Sequence, residues 1–228
     1  MAAPILALAL LAAPLARAAE VQRHGYVWET WIADTFFGGY RQSDYTQQWD
    51  IPAKANTAHG GIPANPKFMK HGTPVDLGDA LRQFDIDEPF LLIVGYWRQE
   101  GNQKRIVNVV AVRVEPAQWR SLWCDITRAD LERLDAAIKE RSIDHLEARR
   151  RAQAIKNAPP FTTAVITVNP KIDSRSQRRL QCSISFDKVF THLAPDASRD
   201  ATDSPQFWGV RVPAPFYSPP RSADSSPD

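Results

Sequence analysis

Cysteine is almost missing from this chain: of 228 residues only Cys124 and Cys182 are cysteines, far apart and with no Cys-x-x-Cys spacing. That argues against a cysteine-held zinc site. It leaves either a disulfide formed in an oxidising compartment or two small buried side chains. The five histidines show no metal-ligand spacing either. Also missing are a Walker A loop, Gly-x-Gly-x-x-Gly, Gly-x-Ser-x-Gly and His-Glu-x-x-His. Their absence argues against an NTPase, a dinucleotide enzyme, a serine hydrolase of the usual kind and a zincin. No sequence repeat is visible, and beyond the first residues no apolar run is long enough to cross a bilayer as a helix.

What is present describes one ordinary domain. Hydrophobic residues make up 43% and charged residues 24%, with a net charge of +2; both fractions are typical of globular proteins. Seven tryptophans and 18 prolines are many, and they favour a loop-rich α/β domain over a helix bundle. Residues 1–18 read as a secretory signal. Ile5 to Leu15 is nearly all apolar, and Ala16-Arg17-Ala18 fits a small-x-small cleavage site, although no Lys or Arg precedes the run. Export would place the mature chain outside the cell or in the periplasm; without it, the chain would be cytoplasmic. The expected organisation is a single domain over 19–200 and a Pro/Ser-rich tail over 201–228. Ser218–Asp228 is expected to be disordered, with Phe207, Trp208, Phe216 and Tyr217 packing onto the domain.

Periodicity predicts a helix over Tyr26–Phe37, with Val27, Trp28, Trp31, Ile32 and Phe36 on one arc, Glu29 at its margin and Gly38-Gly39 as the stop. Two short strands are predicted around Tyr45–Ala53 and Ile62–Lys70, joined through the turn His59-Gly60-Gly61. Pro66 lacks an amide hydrogen, so the second strand belongs at an edge or bulge. Asp76 is predicted to cap a helix carrying Leu77, Ala80, Leu81 and Phe84. Phe90–Trp97 reads as a strand buried on both faces and Ile106–Glu115 as its neighbour. Thr127 with Asp130 is expected to cap one long helix reaching Asn157, followed by a β-type segment over Phe161–Asn169. The order suggests an α/β fold with a mixed central β-sheet flanked by helices.

The chemistry-bearing residues are Glu29 on the first helix, Asp50 at the end of Thr46-Gln47-Gln48-Trp49-Asp50-Ile51, and Lys67 in Pro63-Ala64-Asn65-Pro66-Lys67-Phe68. On these residues the chain resembles the PD-(D/E)XK nuclease superfamily, the restriction-endonuclease-like fold. That family places an Asp on one strand and acid-x-Lys on the next, and many members add a helix glutamate. The resemblance covers roughly residues 26–115 and implies Asp50, Lys67 and Asn65 as catalytic residues. Asn65 stands where the family has a second acid, which removes one negative charge from the cation site. The resemblance further implies Mg²⁺ (or Mn²⁺) held by Glu29, Asp50 and Asn65. Magnesium prefers oxygen ligands and keeps several waters, and a lysine ammonium can stabilise a hydroxide or a phosphate beside it. DNA as partner, endonucleolytic cleavage and homodimerisation are expectations of the same resemblance.

A second segment runs Asn169–Gln181, with Lys171, Arg175, Arg178 and Arg179 against Asp173 alone. Interleaved Ser, Gln and Asn can bond phosphates or base edges. Residues 128–192 hold 13 Lys/Arg against 8 Asp/Glu, so the rest of the chain is slightly acidic. Such asymmetry suits a nucleic-acid cleft, with Lys171, Arg175, Gln177, Arg178 and Arg179 as DNA-binding residues, and equally a solvated charged loop. Arg149-Arg150-Arg151 reads as a solvent-facing cluster, and Gln83 either faces the cleft or is a core-edge amide. Two rivals to the nuclease stay open: a catalytically inactive nucleic-acid-binding protein on the same fold, and an exported interaction protein.

Overall fold

The computed structural model describes residues 25–42, 47–101 and 103–213. The signal-peptide reading, Phe216, Tyr217 and the end of the tail lie outside these residues. The fold is mixed α/β. A helix over residues 25–36 (α1) precedes strands β1 (Ala64–Lys70) and β2 (Val75–Asp79) and a short helix α2 (Ala80–Phe84). Strands β3 (Phe90–Glu100) and β4 (Gln103–Val114) follow, then helices α3 (Pro116–Ser121), α4 (Arg128–Lys139) and α5 (His145–Lys156). Strands β5 (Thr167–Ile172) and β6 (Arg178–Ile184) come next. The chain then runs through α6 (Phe186–Lys188), a π-helical turn at Val189–Leu193 and a small hairpin, β7 (Gln206–Phe207) with β8 (Val210–Arg211).

The central sheet is mixed: β1 lies parallel to β3, and β3 is antiparallel to β4. A second, antiparallel sheet has the order β2-β6-β5. Alternation along β3 divides the core. Phe90, Leu92, Val94 and Tyr96 face the second sheet and helices α2 to α5, whereas Leu91 and Ile93 face α1. A bulge opposite Tyr96/Trp97 reverses the parity of β4, so Ile106 joins the α1 side while Val110 and Val114 join the other. Trp28 on α1 lies flat over Gly95: a Cβ there would sit 2.7 Å from Cζ2 of the indole ring. Only glycine lets the helix approach this closely.

Pro66 sits, as expected, on an edge strand. The capping box of Thr127 and Asp130 is present at the start of α4. Four expectations need correction. Tyr45–Ala53 forms no strand among its described residues beyond a single bridge of Ile51 to Ala64. Asp76 belongs to β2; the helix cap is Asp79, whose carboxylate accepts from the amide of Arg82. The expected long helix over Thr127–Asn157 is broken at residues 140–144, where Glu140 bonds Ser142 and Asp144 caps α5 by accepting from Leu146 and Glu147. Local side-chain bonds to the backbone outcompete helix continuation there. The strand expected over Phe161–Asn169 begins only at Thr167, because residues 160–163 make a turn.

The domain also continues past residue 200. Phe207 and Val212 are buried against the α1 side of the core, and Trp208 packs beside Phe207. Residues 198–204 run along the outer edge of β4. Asn108 donates to the carbonyls of Ser198 and Asp200, and Thr202 donates its amide to Val107.

Candidate functional site

Asp50 lies on a bend, held on both sides. Before it, Trp49 is buried against Phe90, with ring centroids 5.0 Å apart, and donates its indole N–H to Glu88 Oε1 at 2.7 Å. After it, Ile51 and Ala64 exchange two backbone hydrogen bonds of 3.0 and 2.8 Å. Because that bridge is antiparallel, Asp50 stands opposite Asn65, the next residue of β1. Lys67 follows two residues later, on the same face of the strand as Asn65. Its Nζ lies 3.1 Å from Asp50 Oδ2, in a pair that is half-buried on both sides. Sequence spacing thus predicted a meeting that the bridge brings about, although Asp50 reaches it from a bend and not from a strand.

Glu29, on α1, lies close enough for both charges to act on it. Burial pushes its carboxyl above the ordinary value, the nearby negative charge of Asp50 pushes it further, and Lys67 pulls it back. Asn65 is 4% exposed, and its Oδ1 is buried with no hydrogen-bond donor. An acceptor in that condition costs free energy unless a water or cation meets it. The donor set is therefore two carboxylates and an amide oxygen, all hard oxygen ligands of the kind magnesium takes. Among the described residues no group of three or more His, Cys, Asp or Glu is placed to hold an ion, so the amide would have to serve as the third ligand. Gln83 is likewise buried with an unpartnered Oε1, while its backbone carbonyl accepts from the Trp119 indole. It is a core amide of α2.

The basic segment forms the β5–β6 hairpin. Lys171 and Arg179 stand opposite each other and are exposed, with Arg179 3.5 Å from Asp173; Arg175 and Gln177 are exposed in the turn. Arg178 is a correction. It is 4% exposed, and its guanidinium donates to the carbonyls of Ile138, Glu140 and Ile143, at the end of α4 and in the connector beyond it. It closes a helix terminus from inside and has no surface to offer DNA. In the 149–151 cluster, Arg149 donates to the carbonyl of Ile172, and Arg150 and Arg151 pair with Glu147. Cys124 is exposed and Cys182 buried, and both are free thiols.

Sequence reasoning missed Trp49 and Glu88 as the pair that anchors Asp50. The signal was an acid 39 positions away, which no local pattern connects to the tryptophan. Comparison with protein-family models, with curated proteins and with solved structures returns no match.

Proposed function

We propose that this chain is a divalent-metal-dependent phosphodiesterase that cleaves DNA internally, on a core of the restriction-endonuclease-like kind. The observation that carries this reading is the Asp50–Lys67 ion pair set opposite the unpartnered, buried Oδ1 of Asn65. Asp50, Glu29 and Asn65 would hold Mg²⁺ or Mn²⁺. When bound, that ion would polarise a scissile phosphate and acidify a water. Asp50 supplies negative charge at a point fixed by the Trp49 anchor and the Ile51 bridge. Lys67 supplies a compact positive charge 3.1 Å from that carboxylate, where it can stabilise an attacking hydroxide or the charge that develops on phosphate oxygen. Lys171, Arg175, Gln177 and Arg179, exposed on the hairpin, are the groups available to DNA phosphates.

One observation favours a second reading. Lys67 is bonded directly to Asp50, and with Asn65 in place of an acid the pair is close to neutral without any ion. A site in that condition suits a binding protein that has lost catalysis. Incubating the protein with supercoiled plasmid and Mg²⁺ or Mn²⁺, beside Lys67→Ala and an EDTA control, separates the two. Cleavage abolished in both controls supports the phosphodiesterase. Retention of DNA with no cleavage on duplex or single-stranded substrates supports the second reading.

A further inference from the structure

A cleft of about 290 Å³ opens between the α4–α5 connector and the β5–β6 turn, lined by Arg141, Ser142, Ile143, Asp144, His145 and Arg175. Three of these side chains are basic and one is acidic. Arg141 is held in place: its guanidinium donates to the backbone carbonyls of Arg175 and Ser176, so it ties the turn to the connector with donors left over. Arg175 and His145 make no side-chain hydrogen bond among the described residues, and Arg175 is exposed. The acids nearby are already engaged. Asp144 Oδ1 accepts from the amides of Leu146 and Glu147, and Glu140 Oε1 accepts from the amide and hydroxyl of Ser142. Hydrogen bonding leaves the Asp144 carboxylate charged, so the cleft sets the two guanidinium groups of Arg141 and Arg175 against one acid, with the His145 imidazole beside them as a further hydrogen-bonding group. Its volume sits at the low end of small-ligand sites, which suits a compact anion.

We propose that this cleft is a binding site for a phosphate group, gripped by Arg175 and His145 and backed by Arg141. Arginine's planar fork matches phosphate oxygens in pairs, which makes it the residue suited to such a grip. The inference rests on the cleft itself and not on catalysis; it shares Arg175 with the hairpin groups named above for DNA phosphates and adds Arg141 and His145 to it. The phosphate comes either from a nucleic-acid backbone or from a small phosphorylated molecule.

The test is isothermal titration of inorganic phosphate into the full chain carrying Lys67→Ala, so that no binding at the Asp50–Lys67 site is counted. Saturable binding at one site is expected, weakened about tenfold or more by Arg175→Gln and again by His145→Gln. Arg141 is left intact because it also holds the turn. A duplex oligonucleotide then separates the sources. If Arg175→Gln weakens its binding and lowers the salt slope by about one, the phosphate belongs to a nucleic acid. Oligonucleotide binding unchanged by Arg175→Gln, with phosphate binding weakened, assigns the cleft to a small phosphorylated ligand. Absence of saturable phosphate binding, or binding untouched by both substitutions, overturns the proposal. Neither result depends on whether plasmid is cleaved.

Discussion

Asn65 shows how one side chain can be both a structural cost and a chemical resource. Its Oδ1 is shut away from solvent and unpartnered, beside two carboxylates and a lysine. Replacing it by aspartate would add a third acid to Glu29 and Asp50. Without metal, Asn65→Asp should melt at a lower temperature than wild type, because like charges crowd a half-buried site. With Mg²⁺ or Mn²⁺ it should be stabilised more than wild type, because anything bound to the folded state alone raises its stability. Thermal melts with and without metal decide this; an equal metal-induced shift in both proteins refutes the ligand role. Glu29 offers a pH test. Its folded value is raised from the ordinary 4.5 by burial and then by Asp50, so the folded protein binds this proton more tightly than the unfolded chain. Stability from this group is complete below the ordinary value and is lost as pH rises through the raised one. Over that rise wild type should therefore lose more stability than Glu29→Gln, measured by urea midpoints at a series of pH values. Parallel pH profiles would dismiss the coupling.

At the scale of elements, two close contacts decide how helices dock. Arg178 on β6 satisfies the carbonyls of Ile138, Glu140 and Ile143, at the end of α4 and in the connector beyond it, and its removal would leave all three without that donor. Arg178→Met should cost about 2–4 kcal/mol, far more than loss of a surface arginine would. A change under about 0.5 kcal/mol in chemical denaturation would instead return Arg178 to the surface role expected from the sequence. Gly95 is the second contact. A methyl group there collides with the Trp28 indole, so Gly95→Ala should cost about 1–3 kcal/mol and push α1 away from β3. Since Glu29 follows Trp28 in α1, the same substitution should lower the affinity for Mn²⁺, which titration calorimetry would measure. The capping box of α4 was legible from Thr127 and Asp130, because its bonds span three residues. The break between α4 and α5 was harder to read. The residues that make it, Glu140, Ser142 and Asp144, are ordinary on a solvated helix until their side chains find backbone partners.

On the scale of the whole molecule, the C-terminal segment completes the domain. Residues 198–204 lie along β4, and the turn beyond them carries Trp208, which stacks on His59 with ring centroids 3.7 Å apart. His59 belongs to the loop between Asp50 and Asn65, so this strap holds the connector of the candidate site as well as a sheet edge. Truncation after Ala197 should uncover β4, lower the melting temperature and promote association, since an open strand edge recruits other strands. A truncated chain that elutes from size-exclusion chromatography in the same oligomeric state as the full chain, with an unchanged melting temperature, would contradict that role.

By itself the sequence determined what local spacing controls. A continuous apolar run set β3, alternating valines set β4, the helical arc with Trp28 and Ile32 set α1, and the proline in β1 implied an edge. It also put Asp50 and Lys67 within reach of one another, because a short connector turning at Gly60-Gly61 returns the chain against itself. Tertiary structure alone decided the rest. Arg175 and Arg178 belong to the same basic run, yet one lines an open cleft and the other is sealed under α4. Charge and composition cannot separate them, because what separates them is the position of carbonyls 35 to 40 residues away. The anchoring of Asp50 through Trp49 and Glu88, and the strap along β4, were hidden for the same reason. Each depends on partners brought together by packing of the core, which spacing along the chain does not encode.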